Sequence, residues 1–181
     1  MSAYEQMSRE QLLAALRMFA RMWLAHDGCW FLAAEEHLGL NVAMELDRVA
    51  WQRFAEVEAT RIRETFDIPP HAGLEGLVKA LNLRMYSLIN AQHLERSPDG
   101  ALRFRMDVCR VQETRRRKGL PDFPCRSIGE VEFATFARTI DPRLRTRCVQ
   151  CPPDSVPGEY CEWEFTLDEE SGHRVIGSSG A

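Results

Sequence analysis

The spacing of apolar residues changes its period along this chain, and that change limits the folds open to it. Up to about residue 82, apolar side chains recur every three or four positions, the period of a helix; later segments alternate apolar with polar, the period of a strand. Ser8 with Gln11 three residues on has the form of a capping box, and Leu12, Leu13, Leu16, Phe19, Ala20 and Trp23 follow at helical spacing. His26-Asp27-Gly28 interrupts the pattern. A first helix is expected to end there, and a second, capped by Asp27, to run to Gly39, a residue type suited to the position after a helix. Asn41 is a candidate cap for a third helix reaching about Phe66, which Pro69-Pro70 prevents from going much further. A shorter helix is expected over residues 74–81.

Beyond residue 83 the reading becomes mixed. Residues 84–93 are rich in apolar and aromatic types and read as strand, and Ser97-Pro98-Asp99-Gly100 is a turn. Leu102, Phe104, Met106 and Val108 then alternate with Arg103, Arg105 and Asp107, as in a strand with one buried face. Two helices follow, one ending at Gly119 and one over about 126–140, stopped by Asp141-Pro142. Strands return at 144–151 and 160–167; in the last, Cys161, Trp163, Phe165 and Leu167 share one side and Glu162 and Glu164 the other. This order predicts an α+β fold: N-terminal helices, then a ββααββ unit forming an antiparallel sheet with helices on one face. It divides the chain into a helical region, 1–82, packing on an α+β region, 83–170, with a tail, 171–181, whose Gly-Ser-Ser-Gly-Ala ending reads as disordered.

Among 181 residues, 45% are hydrophobic and 28% charged, enough to build a core. The net charge of −4 gives no reason to expect nucleic acid as a partner. No apolar run approaches the roughly 20 residues that span a bilayer, and residues 1–9 lack the layout of a secretory signal. A cytoplasmic protein without a membrane partner is therefore expected, with its cysteines reduced.

Five of the six cysteines lie from Cys109 onwards. Cys148-Val-Gln-Cys151 has the spacing that lets two thiolates converge on one ion. Residues three apart on a regular strand point to opposite faces, so the chain must turn there, and Pro152-Pro153 supplies the break. Cys161 returns on the partner strand, and Cys125, at a helix start, completes a candidate set for a structural zinc: Cys125, Cys148, Cys151 and Cys161. Four thiolates favour zinc and leave no open position for a catalytic water. A redox pair or merely buried thiols are the alternatives. Cys109, between a strand and a helix, could substitute for one of the four, act as a reactive thiol, or simply pack; Cys29, beside Trp30, reads as core.

With these residues in hand, the stretch from about 84 to 167 resembles small-molecule-binding domains of the 4-vinyl-reductase type, which run strands, helices and a closing hairpin ending in a cysteine near an aromatic. In the sensor domains of phenol-responsive activators a related unit holds zinc on three cysteines and a glutamate. The resemblance places Cys125, Cys151 and Cys161 in the cysteine positions and Cys148 where that family has its glutamate. Over nearly its whole length the chain is also similar to an uncharacterised prokaryotic family, through DGCWF with EEHLGL, CRVQETRRRKGL, DFPC, and DPRLRTRCVQCPPD with YCEWEF. That family resembles the L-2-amino-thiazoline-4-carboxylate hydrolases.

On the third helix the apolar face comprises Val42, Leu46, Val49, Ala50 and Val57. Beside it runs a second stripe of Asp47, Trp51, Phe54, Glu58 and Arg61, which could line a polar-tipped apolar pocket or form an ordinary boundary carrying an exposed Glu58–Arg61 ion pair. Trp30, Glu35 and Glu36 have the same status. The run Arg115 to Lys118 closes a helix, where cations complement the dipole; with Arg143, Arg145 and Arg147 it could also form a patch for an anion. Three functions are consistent with these features. The first is a sensor-like domain binding a small hydrophobic or heterocyclic ligand. The second is a hydrolase acting on a small heterocyclic or amide-like substrate, with Cys109 or Glu58 as the groups to test. The third is an oligomeric scaffold, such as a homodimer joined through the tryptophan-bearing N-terminal helices.

Overall fold

The structure, a computed structural model, describes residues 2–154 and 160–168. Helix α1 spans Arg9–Leu38, α2 Leu40–Thr65 and α3 Gly73–Leu83; strands β1 (Ala91–Arg96) and β2 (Leu102–Val108) follow. Helices α4 (Arg110–Arg117) and α5 (Arg126–Ile140) come next, then β3 (Leu144–Gln150) and β4 (Glu162–Leu167). The strands form one antiparallel sheet in the order β1-β2-β4-β3. The fold is α+β as expected, with the ββααββ unit behind N-terminal helices. The tail assigned to 171–181 lies outside the described residues.

Packing follows from strand alternation. Leu102, Phe104 and Met106 of β2, Trp163 and Phe165 of β4 and Leu144 of β3 all turn to the same face, where α5 covers them with Phe133, Phe136, Ala137 and Ile140. Gly129 is needed for this contact, since a Cβ there would lie 2.3 Å from Trp163 Cζ2. The opposite face of the sheet carries a charge ladder in which Arg103 reaches Glu162 at 3.2 Å and Glu164 at 2.6 Å, and Arg147 reaches Glu164 at 2.7 Å. Helix α2 lies over α5, and α1 folds back along α2. Asp141, which ends α5, is fully buried: it accepts from the Gly73 amide at 2.9 Å and from the Arg143 amide at 3.0 Å. The Arg143 guanidinium also binds it, and its carboxyl is held well below the usual range.

Several expectations are corrected. The Ser8–Gln11 capping box forms, but α1 does not break at His26-Asp27-Gly28; it runs unbroken for 30 residues. Asp27 turns inward instead of capping, and an isolated glycine costs a helix only about 1 kcal/mol. Gly39 (φ 81°) both ends α1 and precedes α2, so Asn41 caps nothing. Residues 85–88 form a 3-10 turn, with the strand starting only at Ala91. Cys29 is exposed rather than core. Arg115 is buried, donating from Nη1 to Glu35 at 2.7 Å and from Nε to the Pro121 carbonyl at 2.8 Å, so the basic run is not uniformly solvated. The faces of α2 are also exchanged: Trp51, Ala55, Glu58, Ala59 and Ile62 point inward, whereas Val42, Leu46, Ala50 and Val57 stay exposed. Glu58 accordingly makes no ion pair with Arg61, which is exposed.

Candidate functional site: a cavity beside a thiol cluster

The turn between α1 and α2 is one residue long, so the two helices run antiparallel, and Trp23 meets Trp51 at 6.1 Å and Phe54 at 5.7 Å between ring centroids. This hairpin roofs a cavity of about 610 Å³ whose floor is the sheet and whose sides are α4, α5 and the 118–125 loop. The walls are mainly apolar and aromatic, with Trp51, Phe104, Met106, Phe123, Phe133 and Trp163 among them. That size and character suit a small organic molecule.

One end of the cavity is polar. Arg84, buried at the start of the 3-10 turn, donates to Glu58 at 2.9 Å and to Glu132 at 2.6 Å. Its guanidinium lies 4.8 Å from the Phe136 ring centroid and 5.9 Å from that of Trp51. Asp27 and Asp47 line the cavity from the hairpin. Burial, reinforced by Asp27 and Glu132, pushes the Asp47 carboxyl up to about 7. Burial also raises Asp27 and Glu132, the latter in spite of Arg84. Two carboxyls, Glu58 and Glu132, thus share one guanidinium, while Asp27 and Asp47 lie close by without a cation of their own, and Asp47 is half-protonated near neutral pH. Such groups both donate and accept hydrogen bonds. At the mouth the sign reverses: Arg21, Arg117 and Lys118 are exposed on its rim.

The thiols gather at the other end. Cys109 precedes α4, Cys125 precedes α5, and Cys161 leads into β4; all three line the cavity. Cys148 and Cys151 approach to 3.2 Å between sulfurs, and Cys151 in turn contacts Cys161. Within that pair Cys161 ionises more readily, because the Cys151 thiol donates towards it. Burial pushes the Cys125 thiol up and Cys109 to about 12. The Cys125 amide donates to the Pro152 carbonyl at 3.2 Å, which joins the start of α5 to the C-x-x-C turn. Gln112, fully buried, is a residue that sequence patterning missed. Its amide donates to the Phe123 carbonyl at 2.8 Å and to Cys125 Sγ at 3.1 Å, while accepting from the Phe123 amide at 2.8 Å. It clamps the 118–125 loop beside the thiols, and only its place in a mostly charged helix could have marked it.

Of the residues singled out for a pocket, Asp47 and Trp51 line the cavity. Glu58 stands just behind it, holding Arg84, and Phe54 packs against Trp23 and Trp51. Trp30, 70% exposed, lies off the cavity, as do the exposed Glu36 and Arg61. Of the metal candidates, Cys148, Cys151 and Cys161 are contiguous, while the Cys125 thiol donates to the Phe123 carbonyl at 3.3 Å. Among the described residues no three Cys, His, Asp or Glu form a ready cage for an ion. The donor set is nonetheless one that suits a soft-ligand metal. Beside it the buried Trp163 indole N–H is directed at the Cys161 sulfur, which helps to keep the Cys161 thiol below its ordinary range.

Fold and site together define an α+β domain whose cavity is roofed by a helical hairpin and floored by a sheet with thiols at one end. Residues 5–167 match a family of unknown function, DUF6125, and the chain belongs to that family. No curated protein and no solved structure matches it. No helix among the described residues is long and apolar enough to cross a membrane.

Proposed function

We propose that this is a cytosolic, sensor-like domain that binds a small aromatic or heterocyclic acid and carries a structural zinc. The observation that carries the reading is the cavity of about 610 Å³ with aromatic walls and a carboxyl-rich inner end. The apolar walls would take a ring and the Asp27–Asp47–Glu132 end its heteroatoms, while Arg21, Arg117 and Lys118 on the rim would meet its acid group. The resemblance to vinyl-reductase-type domains supports the same reading. A thermal-shift screen against aromatic and heterocyclic acids, followed by native mass spectrometry, tests it directly. Binders should raise the melting temperature of the wild-type protein, and D47A and W51A should weaken that response. If both variants leave every response unchanged, the ligand sits elsewhere.

Cys125, Cys148, Cys151 and Cys161 would hold the zinc. Bound by four thiolates, it would fasten the β3–β4 hairpin to the start of α5 and leave no position for a reacting water. Support comes from the contiguous sulfurs of Cys148, Cys151 and Cys161. Elemental analysis should give about one zinc per chain, and C151S should lose it together with stability. Metal-free protein of equal stability would sink this assignment.

The hydrolase alternative, which the likeness to thiazoline-carboxylate hydrolases suggests, draws less support from the geometry. The Cys109 thiol is poorly ionised, and Glu58 is tied to Arg84. Turnover of a thiazoline carboxylate that survives C109A and E58A would remove both from consideration.

A further inference from the structure

Helix α1 is unusual for its length. It extends ~45 Å at 1.5 Å per residue, yet of its 30 residues only Ala20 is buried. The same helix is not polar. Leu12, Leu16, Phe19 and Trp30 are all exposed, Trp30 by 70% and Leu16 by 52%. At 100° per residue these four fall within about 60° of one another, a single stripe along the helix. Their spacings of four, three and eleven residues keep to the 3.5-residue period of helices that pair along a seam. Ala15, Met22, Cys29 and Ala33 border the stripe on one side and no Glu, Lys or Arg falls within it from residue 11 to 34; on its other side Trp23 packs on α2 and Asp27 turns into the cavity. Loss of charge with aromatic and Met side chains retained is the mark of an interface centre.

Helix α2 continues the surface. Val42, Leu46 and Val57, also exposed, fall within about 60° of one another, with the exposed Arg53 among them. The antiparallel hairpin sets Phe19 near the level of Val57 and Trp30 near that of Leu46. The stripe is centred roughly 90° round from Phe31 on α1 and roughly 150° round from Trp51 on α2, both of which reach the cavity. The two stripes therefore make one face, apolar but for Arg53, on the side of the hairpin away from the cavity.

We propose that this face joins two copies of the chain about a two-fold axis, with the α1–α2 hairpins stacking into a four-helix layer. Taking side chains of roughly 150–250 Å², the exposed parts of these residues and Met22 come to roughly 800 Å², which is what each partner contributes to a standard interface. A two-fold contact uses the same patch on both partners, and two hairpins of nearly equal helix length stack along their whole extent, as in a bundle. The dimer leaves both cavities open on its outer faces, so it is independent of what they bind.

Sedimentation equilibrium at micromolar concentration tests the proposal. Wild-type protein should have twice the monomer mass of 20.8 kDa. The double variant L16E/L46E should weaken the dimer by 100-fold or more, with its helical circular dichroism unchanged. W30K, at the most exposed position, serves as a gentler second variant and should shift the equilibrium the same way. E45K lies on α2 outside the stripe and should remain a dimer. A wild-type monomer up to about 100 µM overturns the proposal, as does a dimer that persists in both variants. A wild-type monomer that floats with phospholipid vesicles overturns it in favour of a lipid surface.

Discussion

Helix α2 carries two apolar stripes, and they differ in what they touch. Val42, Leu46, Ala50 and Val57 are the cleaner amphipathic set but remain at the surface. The stripe with Trp51, Ala55, Ala59 and Ile62 includes two carboxylates, Asp47 and Glu58, and it is the one packed against α5 and the cavity. Small size decides this. Ala55 and Ala59 let α2 approach α5 closely, and Glu58 is accommodated because Arg84 reaches it and Glu132 across the contact, whereas Asp47 has Trp51 as its hydrogen-bond partner. A stripe's mean apolarity says little about such fit. Buried polar groups tolerate the interior only when partnered, and here the partner comes from a different element.

The largest test of that contrast removes the partner. R84M leaves Glu58 and Glu132 buried without a cation and should cost roughly 3–5 kcal/mol of unfolding free energy in urea titrations. A loss below about 1 kcal/mol would mean that the inner stripe does not depend on its ion pairs. The same enlargement on each face separates fit from apolarity. A55L should destabilise by about 2 kcal/mol through overpacking against α5, whereas A50L should change stability by less than about 0.5 kcal/mol. Equal effects would break the comparison.

Asp47 offers a smaller, pH-dependent test. Its folded-state carboxyl titrates near 7, above its ordinary value of 3.8, so the folded protein binds more protons than the unfolded chain between those values. Its contribution to stability falls as pH rises from about 4 to 7, and the deficit persists above that. D47N should therefore be more stable than wild type at pH 8, by about 1–2 kcal/mol, with little difference at pH 4. Denaturant titrations at the two pH values check this, and a difference independent of pH would place Asp47 in water. The smallest effect is expected on the outer stripe. V57S should shift the melting temperature by no more than about 2 °C in dilute protein, where a dimer dissociates.

Much of the fold was legible in sequence. Strand alternation at Leu102–Phe104–Met106 and at Trp163–Phe165 gave the sheet's buried face, and Asp141-Pro142 gave the end of α5. The antiparallel α+β arrangement followed from element order. The break expected at His26-Asp27-Gly28 does not form, because local punctuation is a weak signal beside 30 residues of helix. In the candidate site, the cysteines and the Asp47–Trp51 stripe could be named from spacing alone. Arg84, Glu132 and Gln112 could not, since each takes its meaning from partners 11 to 48 residues away.

By itself the sequence determined the periods, the turns and the chemical inventory: helices first, strands later, thiols concentrated after Cys109. Those are local properties, set by backbone geometry and residue type. Only the tertiary structure decided which face of α2 is the core, which carboxylates share Arg84, and that a cavity rather than solid packing lies beneath Trp51. Each of these depends on volume and charge brought together from distant parts of the chain, and no periodicity encodes that.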